Sequence, residues 1–260
     1  MTNKLTKSFQ QTQPLISYLT AGDGGIDYTI QTAKTLIQGG VDILEIGVPF
    51  SDPVADNPIV QASHERALAE KMEPNTFLEG IKRIRDLSKE VSLILHSYYN
   101  PILQKGVEYL KELKEVGLDG IYIVDFPVPL GQQKSVSFFE KLLENELAPI
   151  LTATARTTQE RLLLIKKYTK GFLYYEPQRE PSEMTLQCKN LSEQFENMRD
   201  FLGIPVVEKM EIFNKKEAAA VLNYSNGFLI KTALVQHMAN KPSLEEMVQF
   251  IKAMDPRPRH

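Results

Sequence analysis

Short apolar runs alternate along the chain with longer amphipathic segments, in the rhythm of a strand followed by a helix. The runs fall at 14–19, 41–46, 91–96, 120–124, 149–153, 171–175, 204–207 and 227–230. They are short, largely apolar and often β-branched, as parallel strands covered on both faces are. Helix-like stretches lie between them, among others at 28–37, 107–116, 138–147, 158–168, 215–222 and 244–254. Eight alternations without hairpin signals predict an α/β fold: a single (β/α)8 TIM barrel of parallel strands with a short N-terminal helix, one domain over residues 1–260. An open doubly wound sheet is the alternative. Against it, Gly22-Asp23-Gly24-Gly25 after the first run lacks the spacing of a dinucleotide-binding turn.

A weak internal echo supports the barrel. Residues 36–43 and 113–120 both read as a helix end, a glycine suited to the left-handed cap conformation, an acidic residue and the next strand. Such glycines belong to the bottom of a barrel and to its stability, so no function is assigned to them. The polar stretch 176–190 is the least patterned part of the chain and reads as a long loop running into a helix.

Composition narrows the function classes. The 260 residues are 42% hydrophobic and 24% charged, enough for a sizeable core, and the net charge of −3 gives no pull toward nucleic acid or an anionic membrane. The one cysteine, Cys188, has no internal disulfide partner, which suits a reducing compartment; it reads as a half-buried helical residue rather than a nucleophile. The N-terminus lacks a signal-peptide core and no run approaches the roughly 18 apolar residues of a membrane span, so a cytoplasmic location is expected.

The most informative segment runs from Leu44 to Pro58. Glu45 stands among apolar neighbours at the C-terminal end of its strand, the rim where barrel active sites are built. A carboxylate there costs several kcal/mol unless paired or protonated, and burial favours the neutral acid that general acid–base work uses. A structural ion pair with a nearby lysine or arginine is the competing reading. Prolines then stiffen a loop carrying Asp52 and Asp56. Asp56 can return over the barrel mouth toward Glu45, or it can cap the helix that begins near Pro58; Asp52 can equally serve the turn.

The run Glu45-Ile46-Gly47-Val48-Pro49-Phe50-Ser51-Asp52-Pro53-Val54-Ala55-Asp56 resembles the signature of the tryptophan synthase α subunit family. Leu19-Thr20-Ala21-Gly22-Asp23, Tyr98-Tyr99-Asn100-Pro101, Val124-Asp125-Phe126-Pro127 and Gly171-Phe172-Leu173-Tyr174-Tyr175 resemble the family's other strand ends in order and spacing. The resemblance implies retro-aldol cleavage of indole-3-glycerol phosphate to indole and glyceraldehyde 3-phosphate in L-tryptophan biosynthesis, without metal or organic cofactor in this subunit. It makes Glu45 and Asp56 catalytic: Glu45 moves the protons, and Asp56 accepts the indole N–H and stabilises the ring's developing positive charge. Tyr174, with phenylalanines and leucines of the rim, encloses the indole. A β subunit carrying pyridoxal phosphate is the implied partner, in a linear α2β2 complex, with Pro49, Asp52, Pro53 and Asn100 at the interface.

The chain departs from the family where the substrate phosphate is held. A Ser-Arg-Ala-Gly-Val-Thr-Gly-like loop after the sixth strand is replaced by Glu176-Pro177-Gln178-Arg179-Glu180-Pro181-Ser182-Glu183. Gly-Phe-Gly-Ile after the seventh becomes Lys209-Met210-Glu211-Ile212, and Gly-Ser after the eighth becomes Lys231-Thr232. A carboxylate about 4 Å from a phosphate costs roughly 4 kcal/mol per pair of unit charges at an effective dielectric near 20. Lys231 and Thr232 are the substrate-binding candidates left at this corner, although Lys231 is expected to pair with Glu211 instead. Asn57 replaces a glycine beside Asp56.

Two functional readings follow from the resemblance. One is an active lyase whose phosphate site has been rebuilt around Lys231 and Arg179. The other is a subunit with little catalysis that activates its β partner, because binding energy at a remote phosphate positions the reacting centre. A more distant third is a barrel turned to another anionic ligand or a phosphate-free indole. His64, on the helix after the Asp56 loop, His96, at a strand end, and His237, on a late helix, lack metal-ligand spacing and read as structural or solvated. Tyr98 and Tyr99 can contact ligand or merely pack.

Overall fold

All eight apolar runs become strands in the computed structural model, which describes residues 4–126, 133–177 and 189–258. They are β1 (Leu15–Thr20), β2 (Ile43–Gly47), β3 (Ser92–Ser97), β4 (Gly120–Ile123), β5 (Ala148–Thr154), β6 (Leu173–Glu176), β7 (Val206–Glu208) and β8 (Phe228–Ile230). Neighbours pair in parallel in the order β7-β6-β5-β4-β3-β2-β1-β8. The seam between β7 and β8 is stitched by the turn before β8. Asn226 donates its backbone N–H to the Val206 carbonyl and accepts the Val206 N–H on its side chain, while Ser225 Oγ accepts the Glu208 N–H. The sheet therefore curls into a barrel, and the open-sheet alternative falls away.

The helices are α1 (Lys4–Gln11), α2 (Ile26–Gln38), α3 (Pro58–Ala69), α4 (Pro74–Leu87), α5 (Tyr99–Lys105), α6 (Glu108–Glu115), α7 (Gln133–Glu144), α8 (Gln159–Tyr168), α9 (Lys189–Leu202), α10 (Lys215–Val221), α11 (Thr232–Met238) and α12 (Leu244–Met254). The loop expected over 176–190 lies largely outside the described residues, as do Arg179, Ser182 and Cys188.

Strand alternation sorts the apolar side chains into two cores. One phase, including Leu44, Ile46, Leu93 and Leu95, faces the helices. The other, including Ile16, Ile43, Ile94, Ile150, Phe172, Val207 and Leu229, fills the barrel. Each fully buried Leu, Ile or Phe is worth about 1.5–3 kcal/mol relative to exposure. Helix α1 closes the bottom: Leu5 enters the interior core, and Phe9 lies 5.2 Å from the Phe172 ring. Gly171, at φ +88°, leaves room for it, since a Cβ there would fall 2.9 Å from Leu5 Cβ.

The internal echo has a structural meaning. Gly40 and Gly117 both take positive φ, at 99° and 100°. The aspartate two residues later then accepts a backbone N–H near the start of a neighbouring strand, Asp42 from Leu15 and Asp119 from Leu93, each at 2.8 Å. Each aspartate also binds an arginine, Arg257 and Arg85 respectively. The two repeats are matching clamps on the barrel's lower edge.

Candidate active site

Above the apolar interior, the same alternation brings polar side chains into the barrel. Ile43 is followed in phase by Glu45 and Gly47, Ile94 by His96, Phe172 by Tyr174 and Glu176, Val207 by Lys209, and Leu229 by Lys231. The polar members of these pairs, with Leu229, Tyr122 and the β2–α3 loop residues Ala55, Asp56 and Asn57, line a cavity of about 260 Å³ at the C-terminal end of the strands. Gly47 makes room for its neighbour: a Cβ there would lie 2.2 Å from the hydroxyl oxygen of Tyr18.

Glu45 is fully buried, and no lysine or arginine among the described residues pairs with it. Tyr174 donates its hydroxyl to Oε1 at 2.6 Å, and His96 Nδ1 meets Oε2 at 2.8 Å. The lysine or arginine pair considered from sequence is thus replaced by a tyrosine and a histidine. Burial, followed by the neighbouring Glu45, pushes the Tyr174 hydroxyl well above its ordinary range, so it stays a donor. Burial, helped by Lys231, lowers the His96 pKa and keeps its imidazole neutral.

Asp56 does not cap α3. Asn57 does, accepting the N–H groups of Ile59 and Val60. The Asp56 side chain turns inward instead, 3% exposed, where Lys231 Nζ donates to Oδ1 at 2.6 Å and the Tyr98 hydroxyl to Oδ2 at 2.7 Å. Burial alone raises the pKa of such a carboxyl, but Lys231, with the hydrogen bond from Tyr98, outweighs it and holds Asp56 below the usual range. The pairing of Lys231 with Glu211 expected from sequence does not form. The two strand ends are neighbours, but the desolvated Asp56 lies within reach and needs a cation more than the exposed Glu211 does.

His64 supports the same carboxylate. The Phe50 backbone N–H donates to Nδ1, leaving the proton of the neutral ring on Nε2, which faces the Tyr18 hydroxyl at 3.3 Å and Asp56 Oδ2 at 3.6 Å. Burial lowers its pKa to about 4.

At the corner where the phosphate candidates converge, Asn57 Nδ2 donates to Thr232 Oγ1 at 2.7 Å and to Glu211 Oε1 at 3.1 Å. Thr232 is buried behind the cavity wall as the first residue of α11. Lys209 meets Glu176 at 3.0 Å. Burial works against its ammonium, but Tyr122 and Glu176 more than compensate and raise its pKa. Both cavity lysines are thereby paired with carboxylates of the chain itself.

Glu45, Asp56, Tyr174 and Lys231 therefore share one cavity, with Thr232 just behind it. Pro49, Asp52, Pro53 and Asn100 lie on the rim outside; Asp52 and Asn100 are exposed, Pro49 and Pro53 half-buried. No phenylalanine lines the cavity among the described residues. Its aromatic walls are Tyr122 and Tyr174, with Leu229 and Met210 beside them. Of the tyrosines left open by the sequence, Tyr98 bonds Asp56, while Tyr99 packs against Phe126 and Phe138. Of the histidines expected to be structural or solvated, His96 and His64 are structural and support the carboxylate pair, with His96 Nδ1 2.8 Å from Glu45 Oε2 and His64 Nε2 3.6 Å from Asp56 Oδ2. Period-two counting from Ile94 to His96, and from Val207 to Lys209, was the signal that marks His96 and Lys209 as inward-facing.

The family model for the tryptophan synthase alpha chain matches residues 5–256. The tryptophan synthase alpha chain of Chlamydia trachomatis serovar D is 49% identical over 254 residues, covering 98% of this chain and 99% of that one. That of Coxiella burnetii strain CbuK_Q154 is 34% identical, with 98% of each chain covered. Among solved structures, tryptophan synthase subunit alpha of Legionella pneumophila strain Paris superposes with a TM-score of 0.86 at 27% identity, covering 98% of this chain and 97% of that one. A tryptophan synthase complex from Pyrococcus furiosus contains a chain matching at a TM-score of 0.80 and 29% identity, with 93% and 97% covered. Over its whole barrel, and with the Glu45 and Asp56 carboxylates brought to one cavity, the chain belongs to the tryptophan synthase alpha chain family of lyases.

Proposed function

We propose that this chain serves L-tryptophan biosynthesis in the cytoplasm chiefly by activating a pyridoxal-phosphate-dependent β subunit, and that its own cleavage of indole-3-glycerol phosphate is weak. The observation that carries this reading is the buried contact of Lys231 with Asp56 at 2.6 Å. One ion pair engages both the cation that would meet the substrate phosphate and the carboxylate that would meet the indole N–H.

The chemistry of the reaction remains readable in the residues. Cleavage needs a proton delivered to the indole carbon and another taken from the glycerol hydroxyl, and Glu45, oriented by Tyr174 and His96, is the group that handles both. Positive charge growing on the ring falls to Asp56. Substrate capture is where the site fails. Glu211 stands at the phosphate corner, tied there by Asn57, and Lys209 is taken by Glu176. Without phosphate binding energy the reacting centre is poorly positioned, and turnover falls together with affinity.

The β partner is expected to seat on the rim around Pro49, Asp52, Pro53 and Asn100, in an α2β2 assembly. Exposed apolar side chains nearby support this surface, namely Val54, Leu103 and Val107. So does an apolar hollow of about 450 Å³ between α5 and α7. A working lyase is the competing reading, favoured by the presence of Glu45, Asp56 and Tyr174 in one cavity. Turnover of indole-3-glycerol phosphate with and without β subunit separates the two. Stimulation of β without indole release supports the regulatory reading; robust indole release refutes it.

A further inference from the structure

Asp56 is one of two groups that hold Lys231. The lysine ammonium also stands over the ring of Tyr18, 4.6 Å from its centroid. A cation over a tyrosine face is attracted by the ring's quadrupole, and more strongly where water is excluded. Both partners here are shielded from water, since Tyr18 is fully buried and Lys231 nearly so.

The ring is a fixed seat. On β1 it points into the barrel in phase with Ile16, and its hydroxyl fills the space that Gly47 leaves empty. The His96 ring meets it edge-on with centroids 4.8 Å apart, and Val60 and Val235 form a small apolar cluster with it. The hydroxyl belongs to a buried chain of hydrogen bonds whose two ends are settled. At one end the Phe50 N–H can only donate, to His64 Nδ1 at 3.0 Å; at the other the Val60 carbonyl can only accept, from Ser63 Oγ at 2.6 Å. The neutral His64 ring therefore donates from Nε2 to Tyr18 at 3.3 Å, Tyr18 to Thr20 Oγ1 at 3.0 Å, and Thr20 to Ser63 Oγ at 2.6 Å. Moving the Tyr18 ring would break buried hydrogen bonds on both sides of its hydroxyl.

Resting on the proposed function above, in which Lys231 is the cation withdrawn from the phosphate corner, we propose that Tyr18 is the positioning residue of Lys231: its ring face keeps the ammonium beside Asp56, and away from an incoming anion, whether or not the carboxylate is charged. Ring and carboxylate act in parallel. A proton that neutralises Asp56 leaves the lysine on its seat. The cavity's resistance to anions is thus set partly by a β1 side chain that is not among its lining residues.

The test uses the full chain labelled with carbon-13 in lysine, with the Lys231 signals assigned by their loss in Lys231→Met. Protons above an aromatic face resonate upfield, so the Lys231 εCH2 resonance reports the seat. It is expected upfield in the unaltered chain, in Tyr18→Phe and in Asp56→Asn, and at the ordinary lysine position in Tyr18→Leu. The proposal is overturned if the resonance is ordinary in the unaltered chain, if Asp56→Asn alone makes it so, if Tyr18→Leu leaves it upfield, or if Tyr18→Phe moves it as far as Tyr18→Leu does. The unaltered chain and Asp56→Asn decide the matter even where a Tyr18 variant fails to fold. Titration with inorganic phosphate adds a binding readout: Asp56→Asn is expected to bind it as weakly as the unaltered chain, and Asp56→Asn with Tyr18→Leu about tenfold more tightly. A gain of that size from Asp56→Asn alone, or none from the double variant, also overturns the proposal. Robust indole release in the turnover assay would end the regulatory reading and leave the Lys231 resonance to be judged by itself, whereas an ordinary resonance ends only the present proposal.

Discussion

Replacing Lys231 with methionine strips Asp56 of its cation while keeping most of the side chain's length. The pair is buried, with the lysine 13% and the aspartate 3% exposed. At 2.6 Å and an effective dielectric of 20 the bare attraction is about 6 kcal/mol, an upper bound that the desolvation of both ions largely offsets. Removing one partner of such a pair costs about 3–5 kcal/mol, because the other charge is left buried. The lower end applies here, since Tyr98 still donates to Asp56 and the carboxyl can take up a proton. Lys231→Met is therefore expected to lose about 3 kcal/mol at pH 7 in urea unfolding, and much less in an Asp56→Asn background, giving a coupling of about 2 kcal/mol. The pH dependence has a definite sign. In the native chain the Asp56 pKa is depressed, so its stabilisation is present above the ordinary value of 3.8 and is lost as pH falls through the lower folded value. Without Lys231, burial raises the carboxyl's pKa, so the penalty of the variant is greatest at neutral pH and shrinks on acidification. A coupling below about 0.5 kcal/mol, or a penalty equal at pH 7 and pH 4.5, refutes the reasoning.

Other outcomes follow from the same geometry. Gly47→Ala sets a Cβ against the buried Tyr18 hydroxyl and is expected to destabilise by about 1–3 kcal/mol in urea unfolding, with an unchanged midpoint counting against the packing argument. Asn57→Ala removes the α3 cap and the tie to Thr232 and Glu211, for a loss of about 1–2 kcal/mol; Asn57→Asp keeps the cap acceptor and should recover part of it. His64, with its folded pKa near 4 against 6.5 unfolded, takes up protons more readily when unfolded, so stability should fall by roughly 3 kcal/mol between pH 7 and pH 4. Its replacement by asparagine should flatten that segment of the pH profile.

Much of the fold was legible because its determinants are local. Eight apolar runs and the helix–glycine–aspartate echo at 36–43 and 113–120 are patterns within a few residues, and all eight runs became strands. Glu45 could be read as well, since a lone carboxylate in an apolar strand carries its own signal. What resisted reading was pairing across the barrel. Lys231 and Asp56 are 175 positions apart, and nothing in either neighbourhood tells Asp56 from Glu211 as the lysine's partner. Burial makes that choice, because it penalises the uncompensated Asp56 more heavily. The cap of α3 stayed open between two readings for a simpler reason. Asp56 and Asn57 are adjacent and both suit an N-cap, and the pull of Lys231 on Asp56 leaves the role to Asn57.

The central claim is that the barrel mouth keeps its carboxylate pair while no longer accommodating a dianionic tail. A calorimetric titration with indole-3-propanol phosphate, a non-cleavable analogue, tests it most directly. The account predicts weak binding that Glu211→Gly strengthens about tenfold, a gain of about 1.4 kcal/mol, consistent with a repulsion that solvent screens at this exposed side chain. Tight capture by the unaltered chain, lost in Lys231→Ala, would contradict it.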